Sequence, residues 1–268
     1  MITPIKDYPA FLHKENNQKT LIITDLHLGW ETHLTRRGIH LPSQMPKIRR
    51  KLLQIIKTAK PNGLIILGDV KHTIAKAEQG EWQDIPEFFT SIKAKVANIQ
   101  IIRGNHDGNL EPLLLPTIKM HPSTGITLNN VGLFHGHTWP AAELLSCNTL
   151  IMGHVHPTVA FRDYLGLQTT SPVWIRANLN AKKLKINKRK NKAKTARDKS
   201  DPEPKAEQLI IMPCFNDFLG GRPVNRQSKH RSYISPILRS GAVNIETAEA
   251  YLLDGTFLGR VKQLRALS

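Results

Sequence analysis

The chain reads as an α/β protein, and two observations predict it. Short apolar runs of strand length alternate with stretches whose apolar residues recur at helical spacing. Five of those runs end in Gly, Asp, Asn or His. Groups delivered to the carboxyl ends of strands sit where open α/β sheets place their binding sites.

The elements follow in order. Residues 10–13 and 20–24 are apolar stretches around the polar Lys14-Glu15-Asn16-Asn17-Gln18-Lys19, which predicts a hairpin. Its second arm, Leu21-Ile22-Ile23-Thr24, runs into Asp25-Leu26-His27. Ile48, Leu52, Ile55, Ile56 and Ala59 lie on one helical face, with Ser43 placed to cap the start and Pro61 to stop the end. Leu64-Ile65-Ile66-Leu67 then leads into Gly68-Asp69. A second helix carries Ile85, Phe88, Phe89, Ile92 and Val96, and Ile99-Gln100-Ile101-Ile102 leads into Gly104-Asn105-His106-Asp107. Val131-Gly132-Leu133-Phe134 ends in His135-Gly136-His137, and Leu150-Ile151-Met152 ends in Gly153-His154-Val155-His156. Residues 168–176 and 209–215 read as two more strands, and residues 246–262 as a closing hairpin turning at Asp254-Gly255. No repeat and no second domain is visible, so residues 1–268 are expected to form one domain.

Composition narrows the setting. The apolar runs are far too short to span a bilayer, and the first residues do not read as a signal peptide. Cys147 and Cys214 are the only cysteines, which gives no disulfide framework and no thiolate metal motif, as a reducing cytoplasm would favour. The net charge of +17 raises the expectation of a polyanionic partner. Much of it is local. Residues 182–205 hold eleven bases against three acids and few large apolar side chains, so the segment at about 182–207 is expected to be a disordered basic insert.

Any one of the five polar blocks is an ordinary turn, because Asn, Asp and Gly favour turns for backbone reasons. Five in succession at strand ends are not. A pair of divalent metals a few Å apart needs a bridging carboxylate with nitrogen and oxygen ligands on either side. Asp69 is the natural bridge. Asp25, His27 and His156 would complete one site, and Asn105, His135 and His154 the other. This thiolate-free donor set suits two divalent ions, manganese first, with iron, zinc or nickel as alternatives. His106 is left to reach the scissile phosphate, with Asp107 as its orienting partner. A hydroxide held by the metals would attack phosphorus in line.

The ordered set Asp-Leu-His, Gly-Asp, Gly-Asn-His-Asp, His-Gly-His and Gly-His-Val-His resembles the calcineurin-like metallophosphoesterase superfamily, over residues 25–156. The resemblance implies a four-layer α-β-β-α sandwich, two mixed sheets packed face to face with helices outside, and the ligand set above. Within Gly68-Asp69-Val70-Lys71-His72, the His72 position resembles the SbcD-type repair nucleases, in which it supports the histidine equivalent to His106. The segments Met212-Pro213-Cys214-Phe215-Asn216, Gly220-Gly221, Ser235-Pro236 and Leu253-Asp254-Gly255-Thr256 are similar to small archaeal SbcD-related phosphoesterases, which have bacterial relatives associated with DNA ligases. The chain departs from full-length SbcD nucleases in lacking a long DNA-capping domain.

The expected function is a dinuclear metal-dependent phosphodiesterase acting on nucleic acid, single-stranded or flapped DNA, in repair or processing. DNA-repair proteins and a second copy of the chain are candidate partners. Trp30, Arg36 and Arg37, with Arg103 and His137, are the candidate substrate contacts, one aromatic among bases. A phosphodiesterase or phosphatase of small nucleotides would use the same metal core. A catalytically inactive scaffold ranks last, because every ligand is present.

Overall fold

The computed structural model describes residues 1–35, 38–74, 77–184, 204–226 and 234–267. Arg36, Arg37 and most of the basic insert lie outside these residues. The first sheet has six strands in spatial order β1 to β6: Ile2–Pro4, Phe11–Glu15, Gln18–Ile23, Gly63–Ile66, Asn98–Ile102 and Lys119–His121. β1, β2 and β3 pair antiparallel, and β3 to β6 run parallel. The crossovers carry helices α1 (Trp30–Thr35), α2 (Met45–Ala59) and α3 (Gln79–Lys93).

The parallel strands are continuously apolar because both their faces are buried. Along β3, Leu21 and Ile23 face α2 and α3, while Ile22 between them faces the second sheet. β4 and β5 repeat the alternation, with Leu64, Ile66, Ile99 and Ile101 on the helical side and Ile65 and Ile102 on the other.

The second sheet is mixed. Its strands are β7 (Ile126–Leu128), β8 (Val131–Phe134), β9 (Thr149–Met152), β10 (Pro157–Arg162), β11 (Gln168–Asn178), β12 (Gln208–Ile211), β13 (Arg222–Pro223), β14 (Glu249–Leu252) and β15 (Phe257–Arg260). They lie in the order β13-β10-β11-β12-β9-β8-β7, with β14 pairing β11 and β15 completing a hairpin. Leu133, Ile151, Trp174 and Met212 meet Ile22, Ile65 and Ile102 between the sheets, where the Phe11 and Trp174 rings lie 4.4 Å apart. The α/β class with two mixed sheets is thus present.

Three details differ from the sequence reading. Among the described residues, long helices cover only the first sheet. The outer face of the second is covered by single turns, among them Ala142–Ser146, Pro236–Arg239 and Gln263–Leu267, which supply Leu144, Leu145, Ile237, Leu238 and Leu264 to its core. α2 is capped at Gln44 rather than Ser43, and the Gln44 N–H donates to the Glu31 carboxylate at 2.9 Å. The Ser43 hydroxyl instead accepts from the Met45 N–H at 3.2 Å. The short helix Trp30–Thr35 follows the first ligand block, a stretch to which the sequence reading assigned no element. No helix among the described residues is long and apolar enough to cross a membrane.

The inter-sheet core is the part that joins the two halves of the metal centre described below. Ile151→Ala there should cost about 2–4 kcal/mol, the range for a buried large-to-small change. Urea unfolding of the metal-free protein should show a lower midpoint at an unchanged slope; a midpoint within error of the parent would mean that the sheets are not held together by this layer.

Candidate metal centre

Five strand ends from the two sheets meet along one edge. Asp25 and His27 follow β3, Asp69 follows β4, Asn105 follows β5, His135 follows β8, and His154 and His156 follow β9. Asp25, His27, Asp69, His154 and His156 all have positive φ, between 43° and 68°. Non-glycine residues seldom adopt that left-handed backbone, at a cost of roughly 1–3 kcal/mol each. It turns the chain off the strand at once, so that side chains only one residue apart can face the same space. Crowding fixes the neighbouring glycines: a Cβ on Gly104 would strike the Asp69 carboxylate and backbone, and one on Gly153 would strike Thr24 and Asp25.

Three groups of ligand-type atoms result among the described residues, each within 4.8 Å: Asp25–His27–His156 and Asp69–His135–His154, which hold the predicted ligands, and His27–His72–His106, which shares His27 with the first. His156 Nε2 lies 3.2 Å from Asp25 Oδ1. Asp69 Oδ2 lies 3.6 Å from His27 Nε2 and 3.2 Å from His135 Nε2, so one oxygen faces the first two groups. Asn105 Oδ1 is 3.2 Å from His135 Nε2 and joins the second group. His27 Nε2 is buried without a hydrogen-bond partner. A buried imidazole nitrogen without a partner, beside two carboxylates and more imidazoles, fits a divalent cation.

The calcineurin-like phosphoesterase family profile matches residues 18–179, which contain every one of these side chains. The chain belongs to that family. It is accordingly a metal-dependent phosphoric ester hydrolase, and the family works with a dinuclear divalent metal site. Among solved structures, the Pseudomonas putida nuclease MPE shares the fold, at TM-score 0.52 and 17% identity over 95% of this chain and 98% of that one. YfcE, a phosphoesterase from E. coli, is 22% identical over 54% of this chain and 73% of that one, at TM-score 0.34. No curated protein matches the chain.

The electrostatics of the phosphoesterase site follow from burial opposed by pairing. Burial works against the Asp25 carboxylate, yet His156 and His135 hold it down at about 2. Asp69 is likewise held far below the carboxylate range by His135 and His27, against its burial. Burial would lower His135, but Asp69 raises it to about 9. Burial dominates at His27, brought to about 3, and at His154, brought to about 4 with the help of His135. In the metal-free state a proton on His135 therefore balances the carboxylates. A bound cation replaces it, since imidazole ligates only when neutral at the ligating nitrogen.

Two rings not assigned to the metals stand beside this centre. His72 Nδ1 lies 3.4 Å from His27 Nδ1, and burial lowers its pKa to about 4. His106 Nδ1 donates to the backbone carbonyl of His72, which leaves its Nε2 free. That contact corrects the role expected of Asp107. Its carboxylate turns away from the His106 ring and accepts three backbone N–H bonds, from Gly104 (2.7 Å), Asp69 (2.8 Å) and Val70 (2.8 Å). Asp107 is fully buried, and burial together with Asp69 raises it to about 6.

The expected substrate contacts are placed unevenly. His137 stands in the site, its ring 5.2 Å from His135, and burial lowers it to about 4. Arg103 is neutralised by an ion pair with Glu111. Trp30 stacks on Phe218 at 5.9 Å, with the Lys47 ammonium 4.8 Å over the Phe218 ring. Arg36 and Arg37 lie outside the described residues.

Several supporting residues were not among the predicted site residues. Thr24 Oγ1 donates to Asp25 Oδ2 at 2.8 Å. Cys214 donates to the Asp25 carbonyl at 3.1 Å and Asn216 to the Leu26 carbonyl at 2.9 Å, which ties the strand after the basic insert to the first ligand loop. Ser235 donates to the Gly136 carbonyl at 2.7 Å. Glu81, on α3, accepts from His72 and Thr73 N–H at 3.1 and 2.8 Å. Of these, only Cys214, Asn216 and Ser235 fall in segments that the family resemblance had picked out.

Two outcomes are expected. Asp107→Asn sets an amide NH₂ against backbone donors, so it should destabilise the fold by about 1–3 kcal/mol, the cost of unsatisfied buried groups. Thermal unfolding checks this; an unchanged melting point with activity lost would return Asp107 to a direct role in the reaction. His135 binds its proton more tightly folded than unfolded, so its contribution is complete below pH 6.5 and fades as pH rises through about 9. In chelator, stability should fall across that window, and His135→Gln should flatten the fall.

Proposed function

We propose that the protein is a phosphodiesterase acting on nucleic acid, with manganese as the metal pair, in DNA repair or processing. The single observation that carries the chemistry is Asp69 Oδ2 facing both ligand groups at 3.6 and 3.2 Å. The net charge of +17 supports a polyanionic substrate, because each Lys or Arg contact to a phosphate backbone releases counterions.

Asp25, His27 and His156 would hold one ion, and Asn105, His135 and His154 the other, with Asp69 between them. The ions would supply Lewis acidity at the phosphoryl oxygens and an activated water. The chain supplies the rest. Asp107 fixes the Asp69 backbone, and Thr24 and Cys214 fix Asp25. The His72 carbonyl orients His106 so that Nε2 meets the scissile group and stabilises charge or protonates the leaving oxygen. For His27 to offer Nε2 to a metal, its Nδ1 must carry the proton, and His72 Nδ1 stands 3.4 Å away to accept it.

End-labelled single-stranded DNA in manganese at low salt is the test, beside methyl p-nitrophenyl phosphate as a minimal diester. Both should be cleaved, and Asp69→Ala should abolish both. His106→Ala should slow cleavage by about 10²–10⁴-fold, the usual contribution of a proton-transferring side chain, with metal stoichiometry unchanged. Cleavage of the small diester alone would move the substrate to small nucleotides, and activity surviving Asp69→Ala would remove the bridge.

A further inference from the structure

Residues 72–74 follow the Asp69 turn, and their backbone is held from two directions by buried charges. Lys71 is fully buried, and its ammonium donates to the Thr73 carbonyl and, at 3.4 Å, to the Ile74 carbonyl. Glu81 is fully buried too. Its Oε2 caps its own helix at the Glu78 N–H, 2.9 Å away, while its Oε1 reaches out of α3 to the N–H groups of His72 and Thr73. Burying an ammonium or a carboxylate is costly unless it is paired, and an apolar side chain would fill either place without that cost. What the two charges contribute is a fixed backbone.

The segment held in this way is the one that aims His106. The His72 carbonyl, left over by Lys71, accepts from His106 Nδ1. A carbonyl can only accept, so it keeps the proton on Nδ1, and the proton that the ring can give up is the one on Nε2. The fit is close on both sides. A Cβ on Gly108, in the turn that carries His106, would come within 2.9 Å of the Ile74 carbonyl, and one on Gly29, just after the first ligand block, would strike the Glu81 side chain.

We propose that Lys71 and Glu81 are positioning residues for His106, clamping residues 72–74 so that the His72 carbonyl fixes the tautomer of the ring and aims Nε2 at the leaving oxygen. The proposal rests on the phosphodiesterase reading above and adds to it the residues that make this ring an acid. In the step they serve, an attacking hydroxide supplies the electron pair of the new P–O bond. The pair of the broken bond stays on the leaving oxygen, and that oxygen takes the Nε2 proton.

Two diesters that differ only in leaving ability test this in manganese: methyl p-nitrophenyl phosphate, and methyl phenyl phosphate, whose phenolate leaves less readily and gains more from a proton. Lys71→Met should lower the ratio of kcat for the phenyl over the p-nitrophenyl ester about tenfold, a part of the roughly 10²–10⁴-fold that a proton-transferring side chain contributes. In a His106→Ala background the same change should lower the ratio no further, since residues that act through one ring are not additive. Glu81→Gln, which keeps the volume and one acceptor oxygen, should shift the ratio the same way and serves if Lys71→Met fails to fold. An unchanged ratio in the folded variants, or a further fall without His106, would overturn the proposal. A second readout needs no turnover. Long-range ¹H–¹⁵N NMR of the metal-free protein, with His106 assigned from the His106→Ala spectrum, should show the Nδ1–H tautomer in wild type. Lys71→Met should shift it toward Nε2–H, the form that a free histidine prefers; the same tautomer in both would overturn the proposal. Should neither ester be hydrolysed while the tautomer shifts as expected, the phosphodiesterase reading fails and the clamp stands.

Discussion

The arrangement of this site depends on one buried carboxylate whose hydrogen-bond partners are backbone N–H groups and not the ligand side chains. Asp107 gathers the N–H groups of Gly104, Asp69 and Val70, and so fastens the turn after β5 to the turn after β4. Charge-assisted bonds of this kind offset the desolvation of a buried carboxylate. They also fix the Asp69 backbone. With Asp69 Oδ1 accepting from the His106 N–H at 2.8 Å, Oδ2 is left to face His27 and His135. The same device recurs further along the chain, where Glu81 on α3 holds the N–H groups of His72 and Thr73. Two acids that resemble catalytic groups by type thus serve as anchors for loops.

Such anchoring is needed because the ligand loops are unfavourable on their own. Left-handed backbone at Asp25, His27, Asp69, His154 and His156 is disfavoured locally and persists only where the surroundings over-determine it. Here the surroundings are the inter-sheet core below and the polar ties of Thr24, Cys214, Asn216 and Ser235 above. Strand ends from two sheets can converge only if those sheets hold a fixed separation, which Ile22, Ile65, Leu133, Ile151 and Met212 set. Packing in the middle of the molecule therefore controls distances at its edge.

The sequence made the strands and the ligand blocks legible for a physical reason. A strand buried on both faces is written as an unbroken apolar run, so its end is abrupt, and a ligand placed there stands out. Contacts between distant segments leave no such mark. Asp107 follows His106 directly, and spacing alone cannot tell whether its carboxylate faces a ring or a backbone; only the fold shows that the β4 turn competes for it. Glu81 looks like an ordinary first-turn acid of α3. Cys214 lies in a segment that resembles the family, but its role shows only once β12 is found parallel to β9, which carries residue 214 to the Asp25 loop. The short turns that cover the second sheet among the described residues were equally hidden, since single helical turns lack the length to show a period.

The basic residues next to the ligand blocks are engaged by the fold itself. The two basic residues that flank the ligand blocks are both committed: Lys71 is buried against the Thr73 and Ile74 carbonyls, and Arg103 is paired with Glu111. Among the described residues, neither of these two side chains is free to meet a phosphate at the metal centre. Of the net charge of +17, +8 lies in residues 182–205, where eleven bases face three acids, and the rest is spread along the chain. Attraction of a polyanion through diffuse charge is screened over about 10 Å at 0.1 M salt, whereas interactions inside a buried centre are screened far less. Affinity for a long substrate should thus vary steeply with ionic strength while turnover of bound substrate varies little. That division lets the metal centre keep a geometry set by packing and hydrogen bonds, free of any need to supply long-range attraction itself.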